Sequence, residues 1–275
     1  MGCAPCQPFS TYNRLPKSAP ARSAKMNLLA TFGALVEDVT PDIVSIENVP
    51  NLTKESVFVQ FVEMLSRLNY HVQWQILNTA SYGVPQTRRR LVLLASRLGP
   101  ISIPAPTHST ENFRTVSETI GDLPRIGAGE TSHSDNLHRS RRLTTVNLNR
   151  IRASKPGGSW KDWPEQLLPN AYKKPSGKSY TSVYGRMQWN SPSPTITTQF
   201  IGYGSGRFGH PEQDRALSLR EGALLQTFPR NYVFVPPEAG NDYHMQPIAI
   251  QIGNAVPPQL GKVLGHAISD HVSSL

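Results

Sequence analysis

The alternation of apolar and polar residues predicts a layered arrangement of strands and helices in the first hundred residues. Residues 42–46 follow a proline and form an apolar run, which predicts a short buried strand. Residues 53–68 place apolar side chains on one side of a helix, and residues 71–77 alternate as a half-buried strand does. Residues 91–95 are continuously apolar and predict another strand. Strand, helix and strand in this order indicate an α/β fold.

The pattern changes between residues 100 and 199, where periodicity is poor and proline, glycine, serine and basic residues dominate. We interpret this stretch as an inserted second domain. Helical patterning returns at 218–226, and an apolar stripe after Pro257 and Pro258 predicts a closing helix over 260–275. The 275 residues suffice for one or two domains. No apolar run is long enough to cross a membrane, and no secretory signal is visible.

The positive charge is concentrated in one segment. The formal net charge is +9, and residues 139–189 hold 11 Lys and Arg against 2 Asp and Glu, so they carry the whole excess. The aromatic residues of this segment are Trp160, Trp163, Tyr172, Tyr180, Tyr184 and Trp189. Basic groups neutralise phosphates and aromatic rings stack on bases, which favours a nucleic-acid partner. A solvated basic face on a loop-rich insert is the alternative.

The two cysteines, Cys3 and Cys6, exclude a disulfide scaffold and a four-thiolate zinc site, and we expect no metal. Their C-x-x-C spacing would allow a redox dithiol, but such a motif normally follows a strand within a βαβ unit. We favour a single nucleophilic cysteine, because a loop with four cations, from Arg14 to Lys25, follows. Nearby positive charge lowers the pKa of a thiol and favours the thiolate. So few cysteines also suit a reducing compartment.

Charged side chains lie at the ends of two predicted strands. Glu47 follows the first strand, at the edge where open α/β sheets place their functional crevice. A helix-capping or salt-bridging glutamate is the alternative. Arg88, Arg89 and Arg90 precede the strand over 91–95, and on an extended chain Arg88 and Arg90 share one face. Two guanidinium groups on one face can hold a phosphate or a polar base edge, whereas a plain basic strand edge is the alternative.

Six short motifs occur along the chain in this order: Pro5-Cys6-Gln7, Glu47-Asn48-Val49, Gln86-x-Arg88-x-Arg90, Pro194-x-x-x-Thr198, Leu225-Gln226-x-Phe228-Pro229 and Gly253-Asn254-Ala255-Val256-Pro257-Pro258. With these motifs and the basic insert between the third and the fourth, the chain resembles the DNA cytosine-5 methyltransferases. It is most similar to the bacterial members that accompany restriction systems. The resemblance runs from Gly2 to the closing helix. It implies an α/β fold, with an incomplete Rossmann-like methyltransferase sheet and a small inserted target-recognition domain.

The resemblance divides the chain into three regions. Residues 1–103 would form the catalytic domain, with the cysteine loop and the Glu and Arg motifs. Residues 104–216 would form the target-recognition domain, which binds phosphates and reads bases of double-stranded DNA. Residues 217–275 would form a hinge and return to the catalytic domain. The loop over residues 9–25 would close over the target base, which must be flipped out of the duplex to be reached.

The resemblance also implies the roles of single residues. Cys6 would attack C6 of cytosine, so that C5 can accept a methyl group from S-adenosylmethionine. Glu47 would bond N3 and the 4-amino group of the base and stabilise the charge that the attack creates. Arg90, with Arg88, would hold O2 of the base and the nearby backbone. A wall of the cofactor pocket would include Asn254, Ala255 and Val256.

The sequence departs from the family pattern at its start. Family members begin with a strand and a glycine loop for the cofactor, followed by acidic residues, whereas here the cysteine loop starts at residue 2. The glycine-rich stretch over 204–209 does not open a helix and cannot substitute for that loop. We therefore expect an incomplete cofactor site, no methylation by this chain alone, and poor solubility from an uncovered sheet edge near residues 43–46.

Two explanations of this departure stay open. A complementing N-terminal subunit or a truncated gene would make the chain one part of a methyltransferase. A catalytically inert remnant that still binds DNA is the alternative, and methylation of transfer RNA by a related enzyme is a third interpretation. For each of these we expect a cytoplasmic, nucleoid-associated protein without a membrane partner.

Overall fold

The computed structural model describes residues 20–174 and 181–275, with only the backbone for residues 20–27 and Pro237. The strands of this part are β1 (Ile43–Asn48), β2 (His71–Asn78), β3 (Gln86–Thr87), β4 (Arg89–Ser96) and β5 (Ser193–Pro194). Its α-helices are α1 (Pro20–Val39), α2 (Ser56–Arg67), α3 (Val116–Ile120), α4 (Thr145–Arg152), α5 (Asn170–Lys173), α6 (Leu219–Leu225), α7 (Met245–Asn254) and α8 (Pro258–Ser273).

These elements belong to two compact units, each with an apolar core of its own. The first unit contains the described residues up to Tyr82, together with Arg88–Thr107 and Leu260–Leu275. The second unit contains Gly83–Thr87 and His108–Gln259. Regular structure is concentrated in the first unit, as the poor periodicity of residues 100–199 predicts.

The first unit is built on a three-stranded sheet in the order β1-β4-β2. The central strand β4 is antiparallel to both neighbours, so β1 and β2 run parallel to each other and are joined by α2. Leu91–Ala95 of β4 are fully buried, as the continuous apolar run predicts. The predicted α/β class is confirmed, and the sheet places the end of β1 beside the start of β4.

Helices α1 and α2 pack against this sheet. The rings of Phe32 and Phe61 stack with their centroids 6.0 Å apart. Gly33 permits this approach, because a Cβ there would lie 3.3 Å from Phe61 and Met64. The expected loop over 9–25 is wrong for residues 20–25, which form the first turns of α1. The apolar side chains further along this helix bury against the core.

The second unit contains mostly loops and short helices around a core cluster that α3, α6 and α7 share. Its sheet is a two-residue parallel ladder between β3 and β5. The backbone of α6 comes close to Phe200, because a Cβ on Gly222 would lie 2.1 Å from that ring. A side chain at this position would force helix and ring apart. The packing of this core therefore depends on a helix backbone lying directly against an aromatic ring, which only glycine permits.

Four aromatic residues of the basic segment join Tyr203 in a second core cluster, while Trp189 packs against the first. Trp160, Trp163 and Tyr203 are buried, and Tyr172 and Tyr184 pack against them. Trp160 and Tyr172 stack at 4.8 Å between ring centroids. The indole N–H of Trp163 donates to Ser154, which satisfies its only donor. The expectation that these rings stack on bases is wrong for the buried tryptophans, because a loop-rich unit needs them as its core. Tyr180 lies outside the described residues.

A buried ionic cluster joins the start of α6 to the loop before it. The Arg215 guanidinium donates to both carboxylate oxygens of Glu221, at 2.7 and 2.8 Å, and neither side chain is more than 1% exposed. The backbone N–H of Ser218 also donates to Glu221, while the Ser218 hydroxyl accepts from the Glu221 N–H. Burial opposes ionisation of Glu221, but the Arg215 charge holds the pKa of this carboxyl well below its ordinary value.

His210 lies beside this cluster and is 1% exposed. Its Nδ1 accepts from the backbone N–H groups of Glu212 and Gln213, at 3.1 and 2.9 Å, so this nitrogen carries no proton. Burial lowers the pKa of His210 to about 4; the Glu221 carboxylate, 3.6 Å away, opposes this shift, and the Arg215 and Arg186 charges reinforce it. The folded protein therefore keeps His210 neutral at pH values where an exposed histidine is charged.

We predict that His210 makes the second unit less stable as the pH falls from 7 to 5. The unfolded chain binds a proton at this residue and the folded chain does not, so the free energy of unfolding falls by about 2 kcal/mol. The measurement is urea denaturation at both pH values. His210→Gln keeps an acceptor but cannot titrate, and should remove this part of the pH dependence. The exposed His244→Gln is the control, and equal pH dependence in wild type and His210→Gln would contradict the prediction.

Candidate active site

Glu47 is the last residue but one of β1, at the strand end where the sequence predicts a functional carboxylate. It pairs in register with Val92 of the neighbouring strand β4. Arg90 precedes Val92 by two residues, so its side chain emerges on the same face of the sheet as Glu47. The antiparallel pairing of β1 and β4 therefore brings a carboxylate and a guanidinium together from motifs 43 residues apart in sequence.

The two side chains form a buried ion pair. Nε of Arg90 lies 2.9 Å from Oε1 of Glu47, and the side chains are 12% and 9% exposed. The contact is a close charge pair rather than a well-aligned hydrogen bond. Nη1 of Arg90 also donates to the backbone carbonyl of Arg89, at 2.8 Å, which fixes the plane of the guanidinium. A carboxylate held by one cation in a largely water-excluded place can act on a polar ligand without first reorganising.

Arg88 lies directly before β4 and is 4% exposed, whereas Arg89 is exposed. Burial thus alternates along the three arginines as on an extended chain. The backbone N–H of Arg88 donates to Asn78 at 3.2 Å, and its carbonyl accepts from Thr79 at 2.8 Å. These bonds fix the chain at the entry to β4. The roles predicted for Arg88 and Arg90 stay predictions.

Sequence reasoning missed two asparagines that shape the site. Asn48 is 1% exposed, and its side-chain oxygen accepts from the N–H of Val49 at 2.8 Å, which turns the chain after β1. The side-chain oxygen of Asn78 accepts from Arg88 and from Ala80 at the end of β2. An asparagine at the end of an apolar strand is the signal that indicates such turns.

The segment expected to line a cofactor pocket lies at the end of α7, in the second unit. Asn254 is exposed, while Ala255 and Val256 are half-buried. Ala255 is extended, with φ −63° and ψ 145°, so the helix ends there. Gly253 touches the peptide between Thr197 and Thr198, because a Cβ there would lie 2.4 Å from its atoms. The segment presents an amide and a small apolar surface, which suits the methionine end of S-adenosylmethionine.

Cys6, the predicted nucleophile, lies outside the described residues, and so does Cys3. Within residues 20–174 and 181–275, the ligand-type side chains form no group of three that could hold a metal ion. Over the same residues, every helix is too short or too polar to span a bilayer. The site that the structure does describe therefore consists of Glu47 with Arg90, and of Arg88 beside them in sequence.

Comparison with known proteins decides the family. A family model described as C-5 cytosine-specific DNA methylase matches residues 1–270. The chain belongs to this family. The Type II methylase M.HgiDII of Herpetosiphon aurantiacus is 48% identical over 278 residues, which cover 100% of this chain and 77% of the relative. The Type II methyltransferase M1.HphI of Haemophilus parahaemolyticus is 32% identical, over 98% of this chain and 67% of the relative.

Solved structures agree with this assignment. The Entamoeba histolytica methyltransferase EhMeth matches with a TM-score of 0.62 at 14% identity, over 98% of this chain and 76% of that one. A Spodoptera frugiperda DNMT2 variant matches with a TM-score of 0.59 at 14% identity, over 97% and 78%. These matches confirm the Rossmann-like methyltransferase fold. The resemblance to bacterial cytosine-5 methyltransferases of restriction–modification systems is confirmed by the family match and the relatives.

We predict that the buried Glu47–Arg90 pair matters more for stability than the exposed pair between Glu37 and Arg67, whose atoms lie 3.2 Å apart. Arg90→Met leaves a buried carboxylate without its cation and should lower the free energy of unfolding by about 3 kcal/mol. Arg67→Met is the matched control and should cost less than about 1 kcal/mol. Urea denaturation measures both, and equal losses would contradict the prediction. Arg90→Lys keeps the charge and should recover part of the loss.

Proposed function

We propose that Cys6 is the nucleophile that transfers a methyl group to C5 of a cytosine, and that Glu47 and Arg90 hold this base. The observation that carries the proposal is the buried ion pair at the ends of two neighbouring strands. A charged pair 2.9 Å apart and about nine-tenths buried is expensive to desolvate. Such a pair at the carboxyl end of a strand is expected where a polar ligand is bound.

The proposed reaction begins at the Cys6 sulfur. The thiolate forms a bond to C6 of cytosine and breaks the C5–C6 double bond, which leaves an electron pair available at C5. S-adenosylmethionine, when bound, would supply the methyl group: the electron pair at C5 forms the new bond to the methyl carbon as the methyl–sulfonium bond breaks, and S-adenosylhomocysteine would leave. The C5 proton then passes to solvent, and the Cys6 sulfur departs with its bonding electrons. Both double-bond carbons are thereby restored and the methylated base is released.

Glu47 acts on the opposite edge of the base. Attack at C6 places negative charge on the ring, and a carboxyl group at N3 and the 4-amino group stabilises that charge through a shared proton and an accepted N–H. Arg90 keeps the carboxylate in place through the observed ion pair. Together with Arg88 it presents positive charge to O2 of the base and the adjoining backbone. Asn254, Ala255 and Val256 would hold the methionine end of the cofactor.

The target base must leave the duplex to reach these groups, since its C5 and C6 atoms are stacked inside DNA. We assign target recognition to residues 104–216. Within this region several basic side chains are exposed, namely Arg141, Arg142, Lys155, Lys161, Lys173 and Lys174. Their contacts with phosphates would offset the few kcal/mol that base flipping costs.

We predict that a covalent protein–DNA adduct requires Cys6 and not Cys3. The substrate is duplex DNA in which 5-fluorocytosine replaces cytosine, so that loss of the C5 substituent is blocked and the adduct accumulates. Cys6→Ser should reduce the adduct by at least about a hundredfold, whereas Cys3→Ser, the matched control, should leave it within about twofold. Glu47→Gln should slow its formation by about a hundredfold or more. Denaturing gels and mass spectrometry measure the adduct.

The assay uses the 275-residue chain by itself, and the same chain combined with an N-terminal segment of M.HgiDII, either fused to it or added as a separate polypeptide. An adduct that persists in Cys6→Ser would overturn the proposed mechanism. DNA binding without an adduct in either preparation would favour the alternative of an inert DNA-binding chain. If the adduct forms only when the segment is present, fused or separate, the result would support the interpretation that this chain is one part of a methyltransferase.

We predict that Arg141 and Arg142 contribute to DNA binding through phosphates. Both are exposed, and in the described part of the chain no ion pair involves them. Replacing both by Gln should reduce the slope of log K against log salt by roughly one unit per residue, for all DNA sequences alike. Arg152→Gln is the control, because Arg152 pairs with Asp214 at 3.4 Å. Fluorescence anisotropy at several salt concentrations gives the slopes, and an equal change in the control would contradict the prediction.

A further inference from the structure

Two buried glutamines of the second unit bond to each other although they are 140 residues apart in sequence. Nε2 of Gln86 donates to Oε1 of Gln226 at 2.9 Å and to the carbonyl of Leu225 at 3.2 Å. Both glutamines are 0% exposed. We propose that Gln86 and Gln226 are a positioning pair that fixes the segment from Gly253 to Val256. The pair's role in cofactor binding rests on the function proposed above.

The orientation of both amides is determined by their neighbours. Oε1 of Gln86 accepts from the backbone N–H of Ile196 at 2.8 Å, so the amide nitrogen of Gln86 must face Gln226. Oε1 of Gln226 accepts there, so its own nitrogen faces the other way. The bonds therefore run in one direction from Ile196 through both glutamines. Each amide lacks the freedom to rotate by half a turn, because a flip would set two acceptors or two donors against each other.

The far end of this chain of bonds is the end of α7. Nε2 of Gln226 donates to the carbonyls of Ile252, at 2.6 Å, and Ala255, at 3.3 Å. The last carbonyls of a helix have no partner within the helix, and Pro257 and Pro258 have no N–H to offer them. The side chain of Gln226 donates to both carbonyls, and the carbonyl of Ile252 accepts in addition from the backbone N–H of Ala255 at 3.3 Å. Gln226 thereby helps to hold the backbone where it leaves the helix at Ala255.

The other end of this chain of hydrogen bonds, at Gln86 and Ile196, is fixed by backbone contacts between β3 and β5. The N–H of Ser193 donates to the carbonyl of Pro85 at 3.0 Å, and the hydroxyl of Thr195 donates to the carbonyl of Thr87 at 2.9 Å. The strand that contains Gln86 and the segment around Ile196 thus form one hydrogen-bonded ladder. The chain of amide bonds couples this ladder to the backbone around Ala255.

Stability accounts for part of this arrangement, because the two amides satisfy the backbone N–H of Ile196 and the carbonyls of Leu225 and Ile252. What a fully bonded amide pair adds is a single permitted geometry. Gln86 also precedes Arg88 by only two residues in sequence. Gln86 is thus part of the arginine motif in sequence, and its amide is bonded through Gln226 to the segment predicted to hold the cofactor.

The first test is hydrogen–deuterium exchange of the 275-residue chain. In Gln86→Met and Gln226→Met, the amides from Gly253 to Val256 should exchange at least about tenfold faster than in wild type. The side chain of Gln86 bonds to Ile196, Leu225 and Gln226, so we expect its variant to act on this segment through Gln226. Gln199→Met, an exposed glutamine of the same unit, is the matched control and should leave the exchange unchanged. Wild-type exchange rates in Gln86→Met would overturn the proposal.

A second variant separates positioning from general loss of stability. Gln226→Glu has the same shape, but it sets carboxylate oxygen against the carbonyls of Ile252 and Ala255. It should raise exchange at these amides at least about tenfold, while exchange in α3 rises less than about twofold. A uniform increase over the whole unit would show a merely structural role and would also overturn the proposal.

The third test uses the N-terminally extended preparation. KM for S-adenosylmethionine should rise about tenfold in Gln86→Met, kcat should change less than about threefold, and DNA affinity should stay as in wild type. If KM is unchanged although exchange is faster, the glutamine pair fixes the local backbone but has no role in cofactor binding, and the proposed link to the cofactor is overturned. Failure of the wild-type preparation to form the Cys6 adduct would instead count against the proposed function, with the exchange result unaffected.

Discussion

The described part of the candidate site depends on keeping two opposite charges buried side by side. Glu47 and Arg90 are about nine-tenths buried and 2.9 Å apart, and neither charge would be tolerated there without the other. The sheet makes the pairing possible, because β4 runs antiparallel to β1 and presents Arg90 on the same face. A shift of one residue in this register would move one of the two charges to the opposite face. The register of β1 and β4 is therefore a constraint on the candidate site as well as on the sheet.

The second unit meets a different constraint, because it has little regular structure to satisfy its backbone. Side chains take over that task. Arg215 and Glu221 bond the loop before α6, and Arg186 donates to the carbonyls of Ile151 and Glu212 and pairs with Asp214 at 2.7 Å. A loop-rich unit with so many buried polar groups is stable only if most of these groups have a hydrogen-bond partner. Such a unit can keep one conformation without a large sheet.

The sequence predicted those strands and helices whose apolar residues recur with a regular spacing. The strands β1, β2 and β4 and the helices α2, α6 and α8 follow from periodicity, and the alternation of Arg88 and Arg89 follows from an extended backbone. Helix α7 was missed because Pro247 and Gly253 interrupt a short apolar segment, and tertiary packing overrides their poor propensity. The ion pair and the glutamine pair could not be predicted either. The residues of each pair are far apart in sequence. Strand register brings Glu47 and Arg90 together and loop packing brings the two glutamines together, and a local sequence pattern contains no information on either.

The basic segment shows why composition alone overstates a binding surface. Arg150 lies 5.5 Å from the ring centroids of both Trp163 and Tyr184, so its charge stabilises the aromatic core. Arg186 is buried in ion-pair and backbone contacts. Neither side chain can neutralise a phosphate without dismantling the core it supports. The excess charge of residues 139–189 therefore overstates the number of cations that are free to meet a phosphate, since part of it is used within the unit itself.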